Sequence, residues 1–371
     1  MIKVTYILSF VDKSIAFEWI NKYIDKNKIE LSFVLLNNKN TYIEEYLKSN
    51  NIVFSRVNYS GKKDIPKAVI KCIKFYRENK TEVVHAHLFD ACIVGLFAAK
   101  LVGIKKRIHT RHNATIHHVY HPKAVKYDKL INFLSTKIVA ISKNVKDILI
   151  ELEGVNPKKI ILIHHGFKLD DFENIHEIRI LDLAKKYGID LNNKPIIGVI
   201  SRYIHWKGVQ YTIRAFDILK KSFPQAHLIL ANADGPYKSQ IKVELENLHN
   251  DSYTEIVFEN DLFALYKLFD VFVHVPIDKK AEAFGQTYVE SLASGIPSVF
   301  TNSGIASDFI INEENALIVP FEDTNEIYKS IVKILTNNDL RDKIIINGKK
   351  DISEMFSIEK MVLQLEKLYL D

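Results

Sequence analysis

The chain is 371 residues long, 47% hydrophobic and 26% charged, with a formal net charge of +6. That composition excludes a disordered or fibrous chain and allows two cores of ordinary domain size. Its two cysteines, Cys72 and Cys92, exclude a disulfide framework and read as buried reduced thiols of a cytoplasmic protein. The opening MIKVTYILSF has too short an apolar run for a signal peptide and no small-residue cleavage site. The apolar stretch 88–104 is interrupted by Asp90 and Lys100 and falls short of a membrane span.

Seven short β-branched runs come first: KVTYILS (3–9), LSFVLL (31–36), NIVFSRV (51–57), EVVHAH (82–87), KRIHT (106–110), KIVAIS (137–142) and KIILI (159–163). Amphipathic helical patterns lie between most of them, such as 14–25 and 64–79. After Gly166 a charged, weakly patterned connector leads to about Asn193. The alternation then resumes with PIIGVIS (195–201), AHLILA (226–231), TEIVFE (254–259), DVFVHV (270–275), IPSVFT (296–301) and ALIVP (316–320). Apolar strands alternating with helices predict parallel sheets covered on both faces. The chain is therefore expected to form two doubly wound, Rossmann-like α/β domains facing a central cleft, residues 1–168 and 194–352, joined by 169–193. Ligands in such sheets bind beyond the carboxyl ends of the strands. In the tail, Ile358, Met361, Val362, Leu365 and Leu368 fall on one side of a predicted helix over about 353–371, opposite Glu359, Lys360 and Lys367.

Charge is unevenly shared. Residues 1–170 hold 29 Lys and Arg against 15 Asp and Glu, a net +14; the remaining 22 against 30 give −8. Much of the excess lies between Lys100 and Lys146, in KKR (105–107) and KAVKYDK (123–129). A solvated basic face accounts for this, and so does a footprint for an anionic partner. Nucleic acid is disfavoured, because the segment lacks interleaved stacking aromatics and any recognised nucleic-acid motif. An anionic membrane surface, or a pyrophosphate-bearing acceptor, suits the basic half around Lys105, Lys106 and Arg107 at least as well.

Two segments carry chemistry. In GVISRYIHWKG (198–208) a strand ends and Arg202 and Lys207 bracket a short loop before a helix, which suits a phosphate. Standing alone, the pair reads more simply as solvated cations. In EAFGQTYVESLASGIP (282–297) two glutamates lie eight positions apart around a helix start at Phe284 and Gly285. A helix opening offers amides and a positive dipole end to phosphate or sugar oxygens. Glu290, more than a turn in, can accept both hydroxyls of a ribose. A glycosidase pair is disfavoured: eight helical residues span about 12 Å, beyond the roughly 5–9.5 Å such carboxylates need. His109, His112, His117, His118 and His121 cluster suggestively, but no cysteine or carboxylate stands at zinc-ligand spacing.

These segments resemble the retaining glycosyltransferases of family 4, which have the GT-B fold, and the resemblance covers nearly the whole chain. RYIHWKG is similar to the family's Arg…Lys-Gly segment, NADGPY (232–237) to its Gly-x-Gly-Pro turn, and EAFGQTYVESLASGIPSV to its Glu-x7-Glu signature. NEENALIVPFED, VVHAH (83–87), HTRHN (109–113), AISKN (140–144) and IHHGFKLDDF (163–172) are similar to further strand ends. The resemblance implies a hexosyltransferase-like enzyme acting on a nucleotide-diphosphate sugar and a glycan or lipid-linked acceptor. Arg202 and Lys207 would neutralise the diphosphate in place of a metal ion, so no cofactor is expected. Glu290 would hold the ribose and Glu282 the transferred sugar. Backbone amides at Phe284, Gly285 and Gln286 would touch sugar and phosphate, and His112 would sit beside the sugar. The terminal helix would return to the first domain.

Departures are equally definite. SFVDKSIAFEW (9–19) has no glycine where the family has a Gly-rich loop, leaving Lys13 or Ser14 as substitutes, and FEND (258–261) replaces a Phe-x-Gly. A nucleotide-sugar 2-epimerase of the same architecture and a non-catalytic nucleotide-sugar-binding module are the alternatives. The Glu-x7-Glu spacing argues against the first, and intact Arg202, Lys207, Glu282 and Glu290 against the second.

Overall fold

Thirteen strands form two separate, all-parallel sheets in the computed structural model, which describes residues 1–371. The first holds β1 (Ile2–Ser9), β2 (Ile29–Leu36), β3 (Val53–Val57), β4 (Val83–His87), β5 (Lys106–Arg111), β6 (Lys137–Ala140) and β7 (Ile160–Leu162), in the order β3-β2-β1-β4-β5-β6-β7. The second holds β8 (Ile196–Ile200), β9 (His227–Ala231), β10 (Tyr253–Ile256), β11 (Val271–His274), β12 (Ser298–Phe300) and β13 (Leu317–Ile318), in the order β10-β9-β8-β11-β12-β13. Every run read as a strand in the sequence is one. Strands β4, β8 and β9 are buried along their whole length, which is why their sequences are continuous and apolar without alternating. Each sheet reverses its strand order once, between β1 and β4 and between β8 and β11, and such reversals open a crevice at the strands' carboxyl ends.

The first unit comprises Met1–Phe167 together with Phe356–Asp371, and the second Lys168–Met355. In the first, helices Ile65–Glu78 and Phe89–Val102 cover one face of the sheet. On the other face helix Ile358–Leu370 buries Ile358, Met361, Val362, Leu365, Leu368 and Tyr369 among Val4, Tyr6 and Phe33. Ser357 caps that helix by accepting from the Lys360 amide at 3.2 Å. Its far end is tied by Lys106 Nζ, which donates to the Tyr369 carbonyl at 2.7 Å.

Residues 169–193 belong to the second unit and contain helices Asp170–Glu173 and Glu177–Tyr187. The second of these holds the loop after β10. Arg179 makes a two-pronged bond to Asp261, at 2.9 and 2.6 Å, while Lys186 and Tyr187 both donate to Glu259 at 2.7 Å. No helix is long and apolar enough to cross a membrane.

Candidate active site

The crevice between β8 and β11 gathers the second unit's candidate residues. After the buried strand β8 the chain turns so that Arg202 is exposed, while Tyr203 is buried and donates to Glu255 at 2.9 Å. A 3-10 turn, His205–Lys207, then leads through Gly208 into helix Val209–Ser222. Gly208 has φ +74°, and a Cβ there would lie 1.9 Å from the Val275 carbonyl oxygen. Only glycine lets this loop rest against the end of β11. That approach sets Lys207 beside residues far away in sequence.

Lys207 Nζ donates to Glu282 Oε2 at 2.6 Å, and its ammonium lies 4.7 Å from the Trp206 ring centroid. His274, the last residue of β11, brings Nε2 to 3.5 Å from the same carboxylate oxygen; its buried Nδ1 has no hydrogen-bond partner. Burial raises the Glu282 carboxyl, but the Lys207 charge and the His274 ring outweigh it and take the group down to about 2. Burial also lowers His274. Lys207 and Glu282, each expected to contact a different part of a ligand, form one part-buried ion pair.

Beyond Glu282, Phe284 is buried and Gly285, at φ +82°, opens helix Gln286–Ala293. A Cβ at Gly285 would stand 2.6 Å from the Tyr288 ring and 3.0 Å from Glu282 Cγ. Gln286 is exposed on the first turn. One turn later Glu290 Oε2 accepts from the Tyr266 hydroxyl at 2.8 Å, and burial lifts its carboxyl to about 7. The two glutamates therefore differ in charge state near neutral pH. Carboxylates pushed apart in this way, in a crevice, are a mark of a functional site.

His112 lies in the first unit, near its β1/β4 crevice. Its Nε2 is 3.1 Å from Nδ1 of His87, the last residue of β4, and its ring stacks on His165 at 5.5 Å between centroids. Beneath, His85 lies 4.2 Å from the His87 ring and bonds Thr110 and the Tyr369 hydroxyl at 2.8 and 2.6 Å. Burial takes His112 down to about 4 and His85 and His165 to about 3, so these rings are neutral imidazoles at neutral pH. The remaining clustered histidines go elsewhere. His109 pairs with Ser135, His117 with Asp128 and His118 with Glu153. No group of three or more His, Cys, Asp or Glu side chains is arranged to hold a metal ion. After β1, where the sequence lacks glycine, Phe10 itself takes φ +56°, a strained state for a bulky residue. Lys13 lies over the Tyr42 ring, at 5.0 Å, and Ser14 precedes helix Ile15–Tyr23 without capping it.

His274, Tyr266 and His165 are the neighbours that sequence reasoning missed; His87 is legible in the sequence as a polar residue ending a strand. The signal for His274 was equally available: a polar residue ending a buried strand of a parallel sheet points at the crevice. Tyr266 and His165 carried none.

Residues 183–351 match the family Glycosyl transferases group 1, and residues 22–171 match Glycosyltransferase Family 4. The capsular polysaccharide biosynthesis glycosyltransferase CapM of Staphylococcus aureus is 26% identical over 314 residues, 82% of this chain and 80% of that protein. An Escherichia coli UDP-Gal:alpha-D-GlcNAc-diphosphoundecaprenol alpha-1,3-galactosyltransferase is 24% identical over 323 residues, 85% of this chain and 81% of that one. Among solved structures, Anabaena HepE in complex with UDP and glucose superposes with a TM-score of 0.82 at 18% identity over 99% of both chains. A glycosyltransferase from Rickettsia africae gives 0.83 at 22%, over 100% of this chain and 99% of that one. With both halves matched and the fold shared from end to end, the chain belongs to the family 4 type of glycosyltransferases and is a transferase of GT-B fold.

Proposed function

We propose that the protein is a retaining glycosyltransferase that moves a sugar from a nucleotide-diphosphate donor to a glycan or lipid-linked acceptor, in the synthesis of cell-surface polysaccharide or glycoconjugate. The observation that carries this reading is the part-buried Lys207–Glu282 pair at the β8/β11 crevice, with Arg202 exposed two residues after the end of β8. In the reaction the bond from the anomeric carbon to the diphosphate oxygen breaks and that oxygen takes the electron pair. Arg202, Lys207 and the opening of helix Gln286–Ala293 face the growing negative charge, and fixed donors of this kind supply several kcal/mol. They act without a divalent cation. The acceptor hydroxyl attacks the same face that the diphosphate leaves, and its proton passes to the leaving phosphate oxygen.

Glu282, held ionised, accepts from hydroxyls of the transferred sugar. Glu290 and the Tyr266 hydroxyl hold the ribose, and neutral His112 hydrogen-bonds the sugar. The names of the S. aureus and E. coli relatives support a polysaccharide or lipid-linked acceptor. The test is nucleotide release from a panel of nucleotide sugars, with and without acceptor and with a chelator, followed by NMR of the product's anomeric centre. Acceptor-dependent release, unaffected by chelator and with the donor's anomeric configuration kept, is expected. An inverted product overturns retention, and chelator inhibition overturns metal independence. Epimerised sugar released without acceptor establishes the epimerase instead. Binding of donors without any turnover establishes the binding module.

A further inference from the structure

Two bulky residues leave adjacent strands of the first sheet in the left-handed region: Phe10 after β1, at φ +56°, and Leu88 after β4, at φ +70°. Such strain persists only where the surroundings impose it. Here the chain is pinned on both sides. The Phe10 amide donates to the Leu36 carbonyl at 3.1 Å, Asn37 Nδ2 to the Val11 carbonyl at 3.0 Å, and the Ile43 amide to the Asp12 carbonyl at 2.8 Å. The Ala91 amide donates to Ser9 Oγ at 3.3 Å, which ties the start of helix Phe89–Val102 to the end of β1.

What the strain holds in place is an apolar surface in water. Phe10 is 56% exposed and Leu88 38%. The Phe10 ring meets the buried Tyr59 at 5.6 Å between centroids, so it is propped on one side while more than half of it stays open. The Tyr59 hydroxyl donates to Asp90 Oδ2 at 3.1 Å, and Asp90 is part-exposed two residues after Leu88. An aromatic ring, an aliphatic ledge and a carboxylate thus stand together at the carboxyl ends of β1 and β4. Leu88 directly follows His87, the partner of His112.

We propose that Phe10, Leu88 and Asp90 form a subsite for a neutral pyranose ring of the acceptor, with the C–H face of the sugar on Phe10 and a hydroxyl donating to Asp90. A pyranose has a face of C–H groups and a rim of hydroxyls. The aromatic ring takes the first out of water, and the carboxylate, which offers about four acceptor positions and spends one on Tyr59, receives the second. Glycine at position 10 or 88 would relieve the strain but supply no surface, so strain and surface are kept together. Asp90 repels a phosphate, which sets the subsite apart from any place for the donor's diphosphate. The inference rests on the transferase reading only in calling this sugar the acceptor's.

The full chain and its Phe10→Gly, Phe10→Tyr and Asp90→Asn variants are to be compared by saturation-transfer NMR with the methyl glycosides of glucose, galactose and N-acetylglucosamine, and by calorimetry with UDP and GDP. Phe10→Gly removes ring and strain together, so it should melt at an equal or higher temperature. It should bind the preferred glycoside about tenfold more weakly. Phe10→Tyr should bind as the native chain does, with saturation strongest on the C–H protons of one sugar face. Asp90→Asn should lose about tenfold. Nucleotide affinity should be unchanged in all three. No glycoside binding by the native chain, undiminished binding by Phe10→Gly or by Asp90→Asn, or a parallel loss of nucleotide affinity overturns the subsite. So does a lowered melting temperature of Phe10→Gly, which would make Phe10 a packing residue. Glycoside binding of the expected pattern without any sugar transfer supports the subsite and fails the transferase reading instead.

Discussion

Replacing Lys207 by methionine keeps the length of the side chain and removes its charge, taking the ammonium away from the buried Glu282 carboxylate. In the native protein Glu282 is depressed from 4.5 to about 2. That difference of about 2.5 units corresponds to roughly 3 kcal/mol at 1.36 kcal/mol per unit, within the range for stranding one member of a buried pair. The Lys207→Met variant should therefore lose about 3 kcal/mol of stability at pH 7 in urea melts. The Lys207→Met/Glu282→Gln double variant should recover most of this, because a neutral amide replaces the stranded carboxylate. Because the folded-state value is lowered, this group's contribution is complete above about 4.5 and lost as pH falls through about 2. The gap between wild type and Lys207→Met should narrow over that window. Single-variant losses that simply add in the double variant, or a gap unchanged at low pH, would refute the reasoning.

Arg202→Ala should lower kcat/KM by about a hundredfold or more, near 3 kcal/mol, with an unchanged melting temperature because the side chain is exposed; a lowered melting temperature with normal kcat/KM would reverse the assignment. At pH 7 nucleotide-diphosphate binding should release protons, since ribose hydroxyls favour ionised Glu290, whose folded value is raised to about 7. Affinity should accordingly strengthen as pH rises through 7, and Glu290→Gln should abolish the release while weakening binding about tenfold. Calorimetry in buffers of different ionisation enthalpy decides it, and equal release by wild type and variant sinks the ribose role. His87→Phe should reduce transfer by about tenfold or more with nucleotide affinity intact, because it removes the His87 Nδ1 to His112 Nε2 bond and both residues belong to the first unit. His87→Asn, which restores a polar atom near the lost Nδ1, should recover part of it. Equal activities for the two variants would reduce His87 to packing.

What the sequence made legible was local. The thirteen strands declare themselves because both faces of a parallel sheet demand β-branched apolar residues, as in IIGVI of β8. Glu282 and Glu290 stand out because they share one short segment with a helix start. The Lys207–Glu282 pair could not be read, since it joins residues 75 positions apart through the adjacency of β8 and β11, and strand order is a property of the whole sheet. His274 hid among apolar neighbours. Lys106 and Arg107 looked like surface cations because a sequence shows charge and not the carbonyl each side chain satisfies. Helix Glu177–Tyr187 went unnoticed because its charged residues mask a short apolar side: only Leu183 and Ala184 are buried, while Lys186, Tyr187 and Arg179 hold Glu259 and Asp261.

The helix that buries Tyr369 against the first sheet also fixes an order of events at the ribosome. Tyr6 meets its hydroxyl partner 363 residues later, roughly 20–70 s of synthesis at 5–20 residues per second. Throughout that interval Val4, Tyr6 and Phe33 lack the cover that Met361, Val362 and Leu365 provide, while residues 168–355 emerge as one uninterrupted stretch. Every residue of the second unit is thus made before the last helix of the first. A nascent chain halted before Ile358 would present a finished second sheet and an open, aggregation-prone first one, the species that chaperones would encounter.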